Sequence, residues 1–214
     1  MELKDFHSIA IEGVIGVGKT SLARQLTRET DSRLILERHD ENPFLPDFYK
    51  DPARFAFQTQ LFFLLSRFQQ LKESGQQDFF QPLTIADYIF AKDKIFAYLT
   101  LEERELQLYE KLYNTIEKDI PKPDLVIYLQ SSVERLMANI RRRGRSYEKH
   151  ITEEYIQNLN EAYNHYFFHY NDSHLLVVNA VRLDFVHKED DFQTLKQQIE
   201  RHPGGTVFFN PDIA

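Results

Sequence analysis

The segment GVIGVGKT, residues 13–20, constrains the fold more than any other feature of the chain. It satisfies the pattern GxxxxGK[ST] of a phosphate-binding loop, and it lies between an aliphatic run and a stretch of helical period. Its glycines let successive backbone amides point into one concavity, where the dipole of the following helix adds attraction for phosphate. We therefore predict a site for ATP, formed by Gly13, Val14, Ile15, Gly16, Val17, Gly18, Lys19, Thr20 and Ser21.

Short apolar runs alternate with longer stretches of helical period along the rest of the chain. This alternation is typical of βαβ units, so we predict an α/β fold with a five-stranded parallel sheet covered by helices on both faces. The expected strands cover residues 6–11, 33–37, 83–87, 124–129 and 174–180. The expected helices cover residues 20–29, 52–72, 101–118, 132–141, 152–170 and 191–201.

A chain of 214 residues fits one large domain, or one domain with an appendage. We expect a single domain over residues 1–202 and a tail of unassigned role over 203–214. Residues 207–209 of that tail can add an edge strand or pack on a partner. Four arginines around Gly144 predict a lid over about residues 141–150, which closes over a transferring phosphoryl group and excludes water.

Charge and composition exclude several classes of function. With 26 basic and 33 acidic residues the net charge is −7, so we expect no nucleic-acid partner. The absence of cysteine excludes disulfides, thiolate metal sites and a cysteine nucleophile. The N-terminal sequence has no long apolar run behind a basic segment, and nowhere does the chain approach about 18 consecutive apolar residues. We expect a cytoplasmic protein with no membrane partner.

The second and third expected strands each end in a carboxylate, at the edge where open α/β sheets bind their ligands. Glu37 can take the proton from an alcohol that attacks a γ-phosphate, with Glu41 as a nearby competitor. Asp87 can hold Mg²⁺ together with Thr20, or it can cap a helix. These carboxylates favour phosphoryl transfer from ATP and Mg²⁺ over nucleotide binding alone.

The sequence resembles the deoxynucleoside kinases, and most closely their bacterial deoxyguanosine/deoxyadenosine kinase branch. The matching segments lie within residues 6–200 and are IAIEGVIGVGKTSLA, ERHDENPFLPDFYKDPARFAFQTQLFFLLSRF, IADYIFAKDKIFA, PKPDLVIYL and RRRGRSYEK. The resemblance implies a P-loop kinase that phosphorylates the 5′-hydroxyl of a deoxynucleoside, by preference a purine. It also implies a homodimer packed through helices.

The resemblance further implies roles for residues around the acceptor. Glu37 is the catalytic base, and Tyr49 and Glu148 hold the 3′-hydroxyl. Gln60 hydrogen-bonds the edge of the base, and Arg67 lies beside the base on the same helix face. Each of these residues is therefore expected to line one pocket.

Other implied roles concern Arg67, the arginine beside the base, and the phosphates of the donor. Asp93 pairs with that arginine. Asp87 is expected to contact the substrate and to be a ligand of the metal. Arg143 and Arg145 bind the donor phosphates and act in catalysis with Lys19. Gln58 lies on a different helix face from Gln60, so Gln60 is preferred as the base-reading amide.

The chain departs from the family at one position. Many members carry an arginine directly after the third-strand carboxylate, whereas here Asp87 is followed by Tyr88. The missing charge can come from Arg38, Lys92, Lys94 or a lid arginine. Residues 184–192 are weakly similar to the loop that contacts the donor adenine.

Two alternatives stay open at this point. A nucleoside monophosphate kinase of the thymidylate kinase type also begins with EGxxGxGKT, but its ionised acceptor needs cationic clamps rather than a carboxylate base. A P-loop switch that binds a nucleotide without transferring phosphate is the second alternative, although the chain has no Asn-Lys-x-Asp motif for reading guanine.

Overall fold

A parallel sheet forms the centre of the protein. The computed structural model describes residues 6–74 and 83–211, so the ends of the expected domain and tail, residues 1–5 and 212–214, lie outside the described part. The strands are β1 (Ser8–Gly13), β2 (Arg33–Ile35), β3 (Thr84–Ala86), β4 (Leu125–Gln130), β5 (His174–Asn179) and β6 (Thr206–Phe209). Their order across the sheet is β2-β3-β1-β4-β5-β6, and every neighbouring pair is parallel.

Eight α-helices are found in the described part of the chain. They are α1 (Lys19–Thr30), α2 (Leu45–Phe48), α3 (Pro52–Ser74), α4 (Lys92–Thr100), α5 (Glu103–Ile116), α6 (Val133–Arg143), α7 (Glu153–Phe168) and α8 (Glu189–Glu200). Local chemistry sets several ends: the Ser132 and Thr152 hydroxyls accept hydrogen bonds from backbone amides at the starts of α6 and α7. Gly144, with φ +70°, ends α6 in the left-handed conformation.

The predicted fold class is confirmed, but the prediction of five strands was one strand short. Part of the expected tail is the edge strand β6, with Val207 opposite Leu176 of β5. Gly204 and Gly205 both have positive φ, 98° and 69°, and they turn the chain into this strand. Of the two possibilities given for residues 207–209, the edge strand is therefore the correct one; a strand of four residues next to proline and glycine carries too weak a periodicity to decide between them.

Two helices were not predicted, and two were predicted too long, of which the one expected over residues 152–170 covers Glu153–Phe168. Helix α4 was missed because Lys92 and Asp93 in its first turn are buried, so the helix lacks an apolar face there. Helix α2 has only four residues. The helix expected over residues 101–118 covers Glu103–Ile116, since Leu101 is extended and separates α5 from α4.

The core lies on both faces of the central strands, as expected for a sheet covered by helices. From Leu125 to Leu129 each side chain of β4 is at most 1% exposed. Strands β2, β3 and β1 are neighbours, so their carboxyl ends bring Glu37, Asp87 and the loop after Gly13 to one edge of the sheet. Among the described residues no helix is long and apolar enough to cross a membrane.

Candidate active site

The loop between β1 and α1 forms an anion-binding cradle. Gly13 adopts φ +145°, and a Cβ atom there would lie 2.5 Å from the Leu129 carbonyl oxygen. The Lys19 ammonium donates a hydrogen bond of 2.7 Å to the Gly13 carbonyl, which curls the side chain over the loop. Asn139 Nδ2 donates to the Gly16 carbonyl at 2.9 Å and braces the loop from α6. The backbone amides at the start of α1 are thereby left to face a ligand.

A wide cleft of about 1840 Å³ opens beside this loop. Its walls carry arginines from α6 and the lid, and Ser21 lines it as well. The segment after β5 forms the far wall, where the Phe185 ring packs near Gly18 and Arg135 Nη2 donates to the Leu183 carbonyl at 2.8 Å. A cleft with a phosphate cradle and several guanidinium groups suits a nucleoside triphosphate.

Asp87 joins the phosphate loop to the second strand. Its Oδ2 accepts a hydrogen bond of 2.6 Å from the Thr20 hydroxyl, and its Oδ1 accepts one of 2.8 Å from the Glu37 backbone amide. Asp87 precedes α4, whose cap residue is Ala91, so it does not cap that helix. A hydroxyl and a carboxylate fit Mg²⁺ that takes its remaining ligands from phosphate and water. The described residues contain no cluster of three or more His, Cys, Asp or Glu side chains that could hold a metal ion.

Glu37 lies at the centre of a buried ion-pair network. Arg67 Nε donates to its Oε1 at 2.8 Å, Arg67 Nη2 contacts the same oxygen, and Lys92 Nζ donates to Oε2 at 2.7 Å. On its other side, Arg67 Nη1 lies 2.7 Å from Asp93 Oδ1. Burial by itself raises the pKa of the Glu37 carboxyl, but Arg67 and Lys92 outweigh burial and hold that pKa well below its usual range. Glu37 is therefore ionised near neutral pH.

A pocket lies between this network and helices α2 and α3. Gln60 is buried in its wall: Nε2 lies 3.4 Å from the Thr100 hydroxyl, while Oε1 has no hydrogen-bond partner within the described residues. The Tyr49 and Tyr147 rings stack at 6.3 Å with an interplanar angle of 6°. An amide with a free acceptor, enclosed by aromatic rings, suits a planar heterocyclic base.

The lid lies between the pocket and the cleft. Arg143 donates to both oxygens of Glu148, with distances of 2.6 Å from Nη2 and 3.1 Å from Nε, and Arg145 Nη1 lies 3.4 Å from Oε1. Both arginines line the pocket and the cleft. The Tyr147 hydroxyl donates to Asp40 Oδ1 at 3.1 Å and ties the lid to the segment after β2.

Comparison with known proteins assigns the family. The sequence profile of the deoxynucleoside kinases matches residues 9–202. The chain belongs to the deoxynucleoside kinase family. It is 36% identical to deoxyguanosine kinase of Bacillus subtilis over 90% of this chain and 95% of that one. It is 35% identical to deoxyadenosine kinase of Dictyostelium discoideum, over 90% and 79% of the two chains. The solved structure of deoxyadenosine kinase from M. mycoides with products dCMP and dCDP superposes with a TM-score of 0.79 at 28% identity, covering 90% and 98%.

In this deoxynucleoside kinase the fold brings most of the predicted site residues together. The pocket is lined by Glu37, Tyr49, Gln60, Arg67, Asp87 and Glu148, together with Ile15, Gly16, Lys19 and Thr20 of the loop. Asp93 is fully buried behind Arg67, and the Val14 side chain belongs to the core. Gln58 is exposed, away from the pocket. The chemical roles of these residues stay predictions.

Several pocket residues were missed in the sequence. They are Leu45, Phe48, Thr59, Phe96 and Tyr155. In the sequence four of these side chains have the same apolar or aromatic character as core residues, and Thr59 is one hydroxyl within a helix, so nothing marks them as ligand contacts. Lys92 was named only as one of several possible cations, yet it is 4% exposed and ion-paired to Glu37. The signal that could have singled out Lys92 is its position as a lysine in the first turn of a buried helix.

Proposed function

We propose that this protein transfers the γ-phosphoryl group of ATP to the 5′-hydroxyl of a purine deoxynucleoside, deoxyguanosine or deoxyadenosine, and so supplies monophosphates for nucleotide salvage. One observation carries the proposal: the ionised Glu37 carboxylate lies at the junction of a base-sized pocket and a phosphate cradle. The relatives named deoxyguanosine kinase and deoxyadenosine kinase support the purine preference.

The transfer step needs no reactant besides ATP and the acceptor, because the chain provides the group that takes the proton. The 5′-oxygen bonds to the γ-phosphorus while the bond from that phosphorus to the β,γ-bridging oxygen breaks, and ADP leaves. The hydroxyl proton passes to the Glu37 carboxylate. Since phosphoryl transfer has a loose transition state, the hydroxyl loses its proton late, and a well-aligned carboxylate of low basicity is sufficient.

The donor phosphates are held by the loop amides and Lys19, and Arg143 and Arg145 neutralise charge that develops during transfer. Thr20 and Asp87 would hold Mg²⁺, which when bound shields the phosphates of ATP. Both arginines are exposed enough to move, since about one third of each side chain is accessible. The donor side therefore closes around its ligand.

The acceptor is recognised through its base and its sugar. The Gln60 amide reads the base edge, with Arg67 beside it and Asp93 fixing Arg67. Tyr49 and Glu148 take the 3′-hydroxyl. A nucleoside monophosphate as acceptor is disfavoured, because its charge would meet Glu37 and because Arg67 is already held by two carboxylates.

A homodimer and a cytoplasmic location belong to the same proposal. Helices α3, α4 and α5 pack on one another and expose the apolar side chains of Leu65, Tyr98, Leu108 and Leu112. Exposed apolar side chains on packed helices are the kind of surface that an interface between two copies would cover. Light scattering after size-exclusion chromatography tests this: a Leu108→Glu, Leu112→Glu protein should be monomeric, and a monomeric parent protein would refute the dimer. A cytoplasmic location is consistent with the use of ATP as the donor.

The acceptor class is tested by ADP release from ATP and Mg²⁺. The panel contains deoxyguanosine, deoxyadenosine, deoxycytidine, thymidine and their 5′-monophosphates, and mass spectrometry identifies each product. We expect turnover with the two purine nucleosides and none with the monophosphates. Turnover with a monophosphate alone would assign a thymidylate-kinase type of activity. Hydrolysis that does not depend on an acceptor would indicate a nucleotide switch.

A further inference from the structure

A second buried ammonium group lies beside the proposed base. Lys92, in the first turn of α4, has a side chain that is 5% exposed, and its Nζ lies 2.7 Å from Glu37 Oε2. It lines the same pocket as Lys19 and Thr20 of the phosphate loop. The proposed function assigns no role to the Lys92 ammonium group. The other oxygen of the Glu37 carboxylate, Oε1, is already paired with Arg67.

The surroundings of Lys92 point toward an anion that is not part of the protein. Behind it lies Glu12, a fully buried carboxyl that accepts hydrogen bonds from the Ile89 and Gly13 amides. Burial raises the pKa of Glu12, and Lys92 is the strongest charge that opposes the shift. Lys19 and Lys92 line the same pocket, and two ammonium groups brought together in this way are unfavourable until a phosphate lies between them.

Two other candidate cations near the site, Arg38 and Lys94, have partners outside the pocket. Arg38 is half-exposed and pairs with Glu41 at 3.8 Å. The Lys94 ammonium lies 4.2 Å from the centre of the Tyr113 ring and 3.7 Å from Glu117, so it faces away from the pocket.

The position directly after Asp87 cannot supply a charge either. Tyr88 is buried, and its hydroxyl donates to Gln70 Oε1 at 2.6 Å. Lys92 is therefore a cation already placed between Glu37 and the phosphate loop.

We propose that Lys92 is a catalytic residue whose ammonium group contacts the phosphoryl group in transit. In this step the acceptor hydroxyl takes the place of Lys92 at Glu37 Oε2, and Lys92 turns to the equatorial oxygens of the phosphoryl group. Lys92 stays protonated throughout, since the hydroxyl proton goes to Glu37. The inference rests on the proposed function and deepens it by assigning a further charge, besides Arg143 and Arg145, that stabilises the transferring group.

Steady-state kinetics of Lys92→Met and Lys92→Arg form the first test. Loss of one such donor lowers kcat by about 10²-fold, so we expect that loss in Lys92→Met, with an unchanged Kd for deoxyadenosine. Lys92→Arg should recover most of kcat because it keeps a cation. Lys94→Met, on the same helix and outside the pocket, is the matched control and should resemble the parent protein. Equal kcat in Lys92→Met and the parent would overturn the proposal.

A second measurement separates contact with the phosphoryl group from positioning of Glu37. ADP with aluminium fluoride and deoxyadenosine imitates the transferring group, and its affinity should fall about 30-fold or more in Lys92→Met while that of ADP alone is unchanged. Lys92→Met should also slow the Glu37→Gln protein further. An unchanged fluoride complex, or no added effect on Glu37→Gln, would make Lys92 a positioning residue and refute direct contact.

Two controls keep this test independent of folding and of the proposed function. If Lys92→Met unfolds, Lys92→Gln, which keeps a polar partner for Glu37, takes its place with the same expectations. Failure of the proposed function is seen separately, as a parent protein that turns over no deoxynucleoside in the acceptor panel.

Discussion

The acceptor pocket and the donor cleft meet at the carboxyl edge of the sheet, but they hold their charges in different ways. In the pocket, the side chains of Arg67 and Lys92 are each 5% exposed and paired to Glu37. In the cleft, Arg143 and Arg145 are 34% and 33% exposed and share Glu148. We therefore expect the pocket to be organised by folding itself and the cleft to be completed when its ligand binds.

This difference has a simple physical origin. A buried guanidinium group needs a carboxylate partner in the folded protein, and Arg67 has two, Glu37 and Asp93. The lid arginines line a cleft whose proposed ligand is a triphosphate, and they lie near the surface on a helix end and its loop. Substitutions on the two sides should accordingly affect different measured quantities.

The largest effect is expected on the acceptor side, from Glu37→Gln. The amide cannot accept the hydroxyl proton, so kcat should fall by about 10³-fold. The Kd for the deoxynucleoside, measured by calorimetry, should change little because the side chain keeps its size. Glu41→Gln removes an exposed carboxylate nearby and serves as the control. Turnover at the parent rate in Glu37→Gln would remove Glu37 from the role of base.

On the donor side, Arg143→Met should lower kcat/KM for ATP by about 10²-fold, because one charge-assisted contact to phosphate is lost. Deoxynucleoside affinity should change less than ATP affinity. Arg141→Met, in the same last turn of α6 but outside the cleft, should behave as the parent protein. If both variants lose the same activity, the effect comes from net charge and not from a lid contact.

A smaller effect, a gain in stability rather than a loss of activity, is expected for Lys19→Met in the absence of nucleotide. Burial and Lys92 lower the pKa of Lys19 to about 8 in the folded protein, from an ordinary value of 10.5. The unfolded chain therefore binds the proton more tightly, and the free energy of unfolding of the parent rises as the pH increases from about 8 to 10.5.

Without that charge, the free energy of unfolding at pH 7 should increase by about 1 kcal/mol. Thermal unfolding checks this, and added ATP should no longer raise Tm in the variant. A Lys19→Met protein that is less stable than the parent would show that the ammonium is already balanced without ATP. The neutral variant Lys19→Gln serves as a second measurement of the same quantity.

Much of the fold could be predicted because strand and helix periods are local. The phosphate loop was located by its glycines and Lys19, and the carboxylates Glu37 and Asp87 by their places at strand ends. Strand β6 was predicted only as one of two possibilities for residues 207–209, because it is short, and helix α4 was not predicted, because it buries two charged residues. Local periodicity says little about segments whose stability comes from tertiary pairing.

The contacts within the site could not be predicted from spacing. The pairing of Glu37 with both Arg67 and Lys92 joins three separate segments of the chain. The sequence also does not indicate that Glu148, which is expected to hold the 3′-hydroxyl of the sugar, is the partner of both lid arginines. Such contacts depend on how helices α3 and α4 and the lid pack over the sheet edge, which only the folded protein specifies.

Calorimetric titration of deoxyadenosine and deoxyguanosine, with and without ADP and Mg²⁺, tests the central claim most directly. A pocket organised by folding predicts that at least one of these nucleosides binds in the absence of donor, with a Kd that the donor changes by less than about threefold, or about 0.6 kcal/mol. Binding that appears only after ADP and Mg²⁺ are added would contradict the account, because the acceptor pocket would then be assembled by the donor.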